Sequence, residues 1–256
     1  MTVTDLGEGP VLVLLHAFPL DHRMWLPVAE QLADRGMRLI VPDLPGFGHE
    51  PVPEQEPGLD VMADQVLVAL ADRGVTDFAV AGLSMGGYVV MELLRQVPER
   101  IRAIALVDTK MSADPAEARA GRLAVADRVV AEQSTESLVA AMVPNLLGAT
   151  TLAQRPVVEA TVAQWIREAD PAGVSWAQRA MAARPDSAAD LAAFRGSALV
   201  LAGNEDVISP PAEQQSMADT IPNAALVLLP GSGHLSAVED PDAVANALAQ
   251  WAAAIP

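Results

Sequence analysis

The sequence predicts an α/β fold with a mostly parallel central sheet, helices on both faces of that sheet, and an all-helical cap inserted between two strands. Three observations predict this class. Short apolar runs alternate with helical patterns in the first and last parts of the chain, whereas a long central stretch shows helical patterns alone. In addition, one apolar run passes through a glycine-rich turn directly into a helical pattern. Such alternation is typical of parallel sheets covered on both faces.

The predicted strands are apolar runs rich in Val, Ile and Leu. Strands of a parallel sheet are buried on both faces, so they are continuously apolar rather than alternating. Six runs have this character, at residues 11–15, 38–41, 78–81, 101–107, 198–202 and 225–229. The predicted helices that accompany them span residues 24–35, 59–73, 85–96 and 241–253. Because few residues precede the first run, we expect any earlier strand to be short or missing.

The stretch 111–194 is expected to form helices only. Asp114 and Asp170 each precede a proline, an arrangement that is typical of a capping residue followed by the first helical position. Pro144-Asn145 and Leu147-Gly148 are expected to separate helices. Strands resume after this stretch, so we interpret it as a cap rather than as an independent domain. The predicted boundaries are 1–110 and 195–256 for the core and 111–194 for the cap.

The composition excludes several kinds of partner and site. The 256 residues include 33 acidic and 16 basic side chains, a formal net charge of −17, which disfavours nucleic acids and anionic membrane surfaces. The apolar runs are too short to span a bilayer, and the first residues lack the features of a signal peptide. Cysteine is absent, which excludes disulfides, thiolate metal sites and cysteine nucleophiles. We expect a cytoplasmic protein.

The most informative motif is Gly-Leu-Ser-Met-Gly at residues 82–86, between an apolar run and a helical pattern. The pattern G-x-S-x-G indicates a nucleophilic serine where a strand turns sharply into a helix. In that setting Ser84 has a strained backbone and an exposed hydroxyl. Gly82 and Gly86 lack the Cβ atoms that would collide as strand and helix meet. We therefore predict that Ser84 is a nucleophile.

A serine nucleophile needs a general base. Among the four histidines, His234 lies in a glycine-rich loop between the last predicted strand and the final helix, and we predict that it is the base. His16 ends a buried strand and is expected to be a hydrogen-bonded structural residue. His22 and His49 are expected in loops.

The base in turn needs an acid that orients it. We predict Asp206, in the loop after the run 198–202, because ligands of open α/β sheets bind at the ends of strands. Glu205 stands beside it, and we expect one of the two to be a solvated loop carboxylate. Asp108 is the main rival, since it also follows a strand directly. Asp240 precedes a proline and is expected to cap the final helix.

The oxyanion of an acyl-transfer reaction needs backbone N–H donors. One is predicted at Met85, which follows the nucleophile and opens a helix. The other is predicted at Phe18, in the loop after the first strong strand. Pro19 cannot serve because proline has no N–H.

Five motifs resemble those of the α/β-hydrolase family, specifically its small serine hydrolases with a helical cap and no cofactor. The order Ser84, Asp206, His234 is also the family order, and the resemblance covers essentially the whole chain. Ala17 departs from it, because the family has glycine there; we expect a slightly stiffer or displaced oxyanion loop. The motifs are His-Ala-Phe-Pro at 16–19, Asp-Leu-Pro-Gly-Phe-Gly at 43–48, the elbow at 82–86, the acid loop at 203–206, and Gly-His at 233–234.

The resemblance implies an acyl-transfer enzyme without metal or other cofactor that acts on a small-molecule ester or lactone. Haloalkane dehalogenases and epoxide hydrolases have aspartate in place of the serine, so neither activity is expected. The remaining branches include carboxylesterases, 3-oxoadipate enol-lactonases and cofactor-free perhydrolases. Ester cleavage is the expected function, with lactone hydrolysis or perhydrolysis as alternatives. A ligand receptor or signalling protein of the same fold is a non-enzymatic alternative.

Substrate choice is expected to depend on apolar side chains at the rim of the site and in the cap. Such a lining favours small uncharged or modestly hydrophobic esters. Most arginines of the cap are expected to be solvated surface charges. The predicted pocket residues are Trp25, Met111, Met142, Trp165 and Ile208.

Overall fold

The predicted sheet is present and has seven strands. The computed structural model describes residues 1–255 of the chain. The sheet order is β1-β3-β2-β4-β5-β6-β7, with β1 antiparallel to β3 and the other neighbouring pairs parallel. The strands are β1 (Val3–Leu6), β2 (Val11–Leu15), β3 (Arg38–Pro42), β4 (Phe78–Leu83), β5 (Ile101–Val107), β6 (Ser197–Gly203) and β7 (Ala224–Leu229).

Helices connect the strands and cover the sheet. Short 3₁₀ segments occur at His22–Trp25 and Pro98–Arg100. None of the helices within residues 1–255 has the combination of length and apolar character that a membrane crossing needs. The α-helices are α1 (Leu26–Ala33), α2 (Leu59–Ala71), α3 (Met85–Gln96), α4 (Ala116–Glu132), α5 (Glu136–Leu146), α6 (Ala149–Gln154), α7 (Pro156–Glu168), α8 (Pro171–Ala183), α9 (Ala188–Ala193), α10 (Pro211–Thr220), α11 (Ser236–Glu239) and α12 (Pro241–Ala252).

The strands agree with the predicted apolar runs to within two residues at each end. Their side chains are almost wholly buried in β2, β4, β5 and β6, as expected for strands covered on both faces. A strand also precedes the first predicted run. It is the four-residue β1, which pairs with β3 at the edge of the sheet and is only partly buried.

Six helices, α4 to α9, lie between β5 and β6, and the described residues 111–194 contain no strand. Two predicted details are wrong. Pro144 does not separate two helices but lies inside α5, which continues to Leu146 although proline has no N–H for the helix ladder. Asp114 does not cap α4, because its carboxylate binds Arg122 and Arg184 instead. Asp170 does cap α8, accepting the N–H of Ala172.

Parallel pairing brings the ends of three central strands to the same edge of the sheet. Leu83 at the end of β4 pairs with Val107 of β5, which pairs in turn with Leu201 of β6. The residues that follow these strands therefore emerge side by side. They include Ser84 and Asp108.

We predict that a methyl group at Gly82 destabilises this edge. A Cβ on Gly82 would lie 2.2 Å from the carbonyl oxygen of Gly86, so strand and helix backbones would have to separate. Gly82→Ala should lower the free energy of unfolding by about 1–3 kcal/mol, as overpacking does, in a urea titration. Gly121→Ala is the control: a Cβ at this position in α4 meets no atom within 4 Å, and stability should rise by about 0.5–1 kcal/mol. Equal effects at the two sites would contradict the prediction.

Candidate active site

Ser84 occupies the sharp turn between β4 and α3. Its φ of 53° and ψ of −110° lie in a region that residues with side chains rarely adopt. The surroundings hold it there: the Ser84 N–H donates to Val107 O at 2.9 Å, and the Thr109 hydroxyl donates to Ser84 O at 2.8 Å. The strained turn that the sequence motif predicts is therefore present.

His234 connects Ser84 to Asp206 through the two nitrogens of its ring. Its Nε2 lies 2.8 Å from Ser84 Oγ, and its Nδ1 lies 2.8 Å from Asp206 Oδ2. The second oxygen of Asp206 accepts the N–H groups of Ile208 and Ser209 at 2.8 and 2.9 Å. His234 and Asp206 are each only 2% exposed. Such a chain can move the serine proton onto an imidazole whose other nitrogen is held by a carboxylate.

The two predicted oxyanion donors lie in segments that meet beside Ser84. Within residues 1–255, neither Phe18 nor Met85 uses its N–H in a hydrogen bond. Met85 opens α3, where first-turn amides lack a carbonyl partner and the helix end is partially positive. A Cβ on Gly86 would lie 2.2 Å from Leu15 O, so the start of α3 packs directly on the end of β2. Unpaired amides of this kind suit the binding of an oxyanion.

Ala17 fits this loop without backbone strain. It is not among the non-glycine residues with a positive φ, so the loop does not require glycine at this position. Its side chain is fully buried, and its N–H lies 3.1 Å from the sulfur of Met24. The alanine is therefore part of the packed core at the end of β2.

The two rival acids contact other partners. Asp108 is fully buried and accepts hydrogen bonds from Gly203 N at 2.9 Å and from Ser236 N and Oγ at 3.0 and 2.6 Å. Glu205 accepts the N–H and the hydroxyl of Thr150 at 2.8 and 2.6 Å. These bonds lower the pKa of Glu205. The expectation of a merely solvated loop carboxylate is wrong for Glu205, because its partner comes from the distant residues between β5 and β6.

The other histidines have structural contacts. His16 is fully buried, and its Nε2 accepts the N–H of Leu44 at 2.8 Å, as expected. His22 is not in an open loop but begins a 3₁₀ helix, and its Nδ1 lies 2.6 Å from Asp43 Oδ1. The other oxygen of Asp43 accepts the N–H of His49 at 3.2 Å. Asp43 thus ties together the loops after β2 and β3.

Asp21, His22 and Asp43 place three potential metal ligand atoms within 4.8 Å of one another. Their atoms are already engaged. His22 Nδ1 is bound to Asp43, and the carboxylate of Asp21 forms a two-pronged ion pair with Arg23. We infer no metal site from this cluster, because the atoms that a cation would need are used within the protein.

The predicted pocket residues have different environments. Trp25 is fully buried, and its indole N–H donates to Leu15 O at 3.0 Å, so its placement in the pocket is wrong: it belongs to the core. Trp165 lines a cavity of about 490 Å³ that extends from Pro19, next to Phe18, to α7. Met111, Met142 and Ile208 are partly buried.

The cavity beside Trp165 is more polar than the sequence predicts. Arg23 pairs with Glu168 across it at 2.8 Å, and its guanidinium lies 5.6 Å from the centre of the Trp165 ring. Apolar periodicity identifies the tryptophan but gives no information on which charged side chains face it from other parts of the chain. Neither Ser84 nor His234 lines this cavity, so its charged side chains describe the surroundings of Trp165 and not the rim of the site.

Most arginines of the cap are expected to be solvated, and Arg184 is an exception. Its side chain is 4% exposed, and it lies 2.6 Å from Asp114 Oδ1. Its guanidinium lies 4.2 Å from the centre of the Tyr88 ring. Arg155 is partly buried and donates to the carbonyl oxygen of Glu239. Composition alone cannot reveal these contacts, since each joins segments that are distant along the chain.

Comparison with known proteins agrees with this architecture. The family model described as "alpha/beta hydrolase fold" matches residues 10–241. A pimeloyl-[acyl-carrier protein] methyl ester esterase of Nitrosomonas europaea is 29% identical over 247 residues, which are 92% of this chain and 93% of that protein.

Solved structures give the same picture. A thermophilic esterase from Thermogutta terrifontis, with malate bound, superposes with a TM-score of 0.96 at 38% identity and covers 99% of this chain and 93% of its own. The enol-lactonase from Burkholderia xenovorans superposes with a TM-score of 0.90 at 25% identity, covering 98% of this chain and 96% of its own. The predicted fold class is confirmed.

Asp108 gives a testable pH dependence. Burial, and secondly the nearby carboxylate of Asp206, raises the pKa of Asp108 well above its usual value. A carboxyl whose pKa is raised by folding stabilises the fold fully below its unfolded pKa of about 3.9, and this contribution is lost as the pH rises towards the folded value. The free energy of unfolding of the wild type, minus that of Asp108→Asn, should therefore fall as the pH rises above about 4.

Urea titrations at a series of pH values measure this difference. Asp219→Asn, an exposed position on α10, is the matched control. The free energy of unfolding of the wild type, minus that of Asp219→Asn, should not fall as the pH rises above about 4. A difference for Asp108→Asn that rises with pH, or stays constant, would contradict the prediction.

Proposed function

The chain belongs to the alpha/beta hydrolase fold family, and we propose that it is a serine hydrolase that cleaves small ester-type substrates through an acyl-enzyme on Ser84. The observation that carries the proposal is the position of His234, with one ring nitrogen 2.8 Å from Ser84 Oγ and the other 2.8 Å from Asp206. The relatives named as esterases support the class of carboxylic ester hydrolases.

In the proposed reaction, His234 takes the proton of Ser84 as Oγ attacks the ester carbonyl. Asp206 fixes the tautomer of the ring and stabilises the imidazolium. The N–H groups of Phe18 and Met85 donate to the tetrahedral oxyanion. His234 then gives its proton to the leaving alkoxide, which leaves the acyl group on Ser84. A water molecule, deprotonated by the same imidazole, releases the acid and restores the serine.

We propose that residues 111–194 act as a cap that selects the acyl group. We also propose that the protein is located in the cytoplasm. The likeness to an enol-lactonase favours lactone hydrolysis as the second candidate. A substrate panel separates the candidates: p-nitrophenyl esters of increasing chain length, five-membered enol lactones, and hydrogen peroxide as the acyl acceptor. Preference for esters supports the proposal. Preference for lactones would identify a lactonase instead, and preference for hydrogen peroxide as acceptor would identify a perhydrolase. Binding of these compounds without turnover would indicate a receptor.

Ser84→Ala should abolish turnover of p-nitrophenyl acetate, because the variant has no oxygen that can form the acyl-enzyme. It should also lose labelling by a fluorophosphonate probe, measured by mass spectrometry. Ser216→Ala is the matched control, at an exposed position on α10, and should keep both properties. Full turnover by the Ser84 variant would refute the assignment.

Asp206→Asn should lower kcat by about 10³–10⁴-fold, because an amide there favours the wrong imidazole tautomer. KM should change much less, since the carboxylate contacts the base and not the substrate. Steady-state kinetics on p-nitrophenyl acetate measures both constants, with Asp219→Asn as the control. A loss below tenfold would show that another carboxylate orients the imidazole.

A further inference from the structure

A buried carboxylate, that of Glu239, lies behind His234 and has no part in the proposed bond-making steps. Glu239 is 3% exposed. Within residues 1–255, no Lys, Arg or His side chain forms an ion pair with it. Its oxygens instead accept three backbone N–H groups, from Gly148, Gly233 and Leu235. A buried charge of this kind is tolerated only where such donors are held in place around it.

Two of these donors flank the proposed base. Oε1 of Glu239 accepts Gly233 N at 2.8 Å and Leu235 N at 3.3 Å, which are the residues directly before and after His234. The N–H of Glu239 in turn donates to Leu235 O at 2.9 Å. The segment from 233 to 239 therefore closes on itself, and the backbone that carries the imidazole is held from both sides.

The third donor belongs to the helical insertion, residues 111–194. Oε2 of Glu239 accepts Gly148 N at 2.9 Å, in the turn between α5 and α6. The two backbones touch here, because a Cβ on Gly233 would lie 2.3 Å from Gly148 N. A second contact runs in parallel: Glu205, beside Asp206, accepts the N–H and hydroxyl of Thr150.

We infer that Glu239 is a positioning residue, which holds His234 in line with Ser84 and couples its place to the turn 148–150 of the insertion. This rests on the proposed function, in which the imidazole is the base. One carboxylate binds both segments, so a displacement of the turn acts on the backbone of the base. A substrate that shifts the turn 148–150, even without displacing the rest of the insertion, would thereby change the alignment of the imidazole.

Glu239→Gln tests this role. The glutamine amide keeps one acceptor oxygen but directs an NH₂ group at N–H donors, so it cannot bind both segments. We expect kcat on p-nitrophenyl acetate to fall by about 10²-fold, the effect of a small misplacement of a catalytic group, with KM little changed. Glu213→Gln, at an exposed position on α10, is the matched control and should leave both constants unchanged. A kcat within threefold of the wild type would overturn the inference.

A His234→Ala background separates positioning from a purely structural role. A residue that acts through the imidazole has no further effect once the imidazole is gone, so Glu239→Gln should leave the residual turnover of His234→Ala unchanged. An equal loss in both backgrounds would overturn the inference. Failure of the wild type to hydrolyse any ester, or to react with fluorophosphonate, would instead refute the proposed function.

Hydrogen exchange on the unmodified protein decides the matter if Glu239→Gln does not fold. The amides of Gly148, Gly233 and Leu235 share one acceptor group, so they should be protected together. Reaction of Ser84 with a fluorophosphonate should change the protection of Gly148 as well as that of Gly233. Independent exchange of Gly148 would overturn the coupling, whatever the enzyme activity.

Discussion

The backbone conformation of Ser84 is the constraint on which the rest of the site depends. A residue with a side chain does not adopt φ 53° and ψ −110° unless its surroundings impose it. Here close backbone contacts hold Ser84 in this conformation, because Gly82 packs against Gly86 and Gly86 packs against Leu15. The same contacts bring the start of α3 to the end of β2, so the strain that presents Oγ also assembles the candidate oxyanion donors. The candidate nucleophile and the candidate oxyanion amides therefore depend on the same backbone contacts.

Carboxylates organise the loops around this turn even though the chain is strongly acidic. Asp108, Asp206 and Glu239 are buried, and each accepts at least two backbone N–H groups. Loops that leave parallel strands have amides without ladder partners, and a buried carboxylate satisfies several of them at once. Asp206 differs from the other two because its second oxygen faces His234. This one contact makes Asp206 a candidate catalytic group, whereas Asp108 and Glu239 bind only backbone and side-chain groups of the surrounding loops.

Local signals predicted the fold and the candidate triad, because strand–turn–helix geometry, helix caps and strand ends are properties of short segments. Ser84 and Asp170 are examples, each recognisable from a few neighbouring residues. Apart from the helix break predicted at Pro144, what failed depends on partners far along the chain. Trp25 has the apolar spacing of either a core or a pocket residue, and only the contact of the 3₁₀ segment His22–Trp25 with the end of β2 decides between them. Arg184 and Glu205 carry charges that suggest solvent alone, but Arg184 is buried and Glu205, which is partly buried, binds Thr150.

Among the contacts between the insertion and the core, two bring backbone atoms of both parts close together, and these limit how the insertion can move. At one, the turn 148–150 meets the histidine and acid loops through Glu239 and Glu205. At the other, α8 meets the loop after β3, where a Cβ on Gly173 would lie 1.9 Å from Gly46 O. Backbone contacts at both places leave little freedom for sliding. For the cap role proposed above, we therefore expect the acyl group to be selected by the side chains between the two contacts rather than by displacement of the whole insertion.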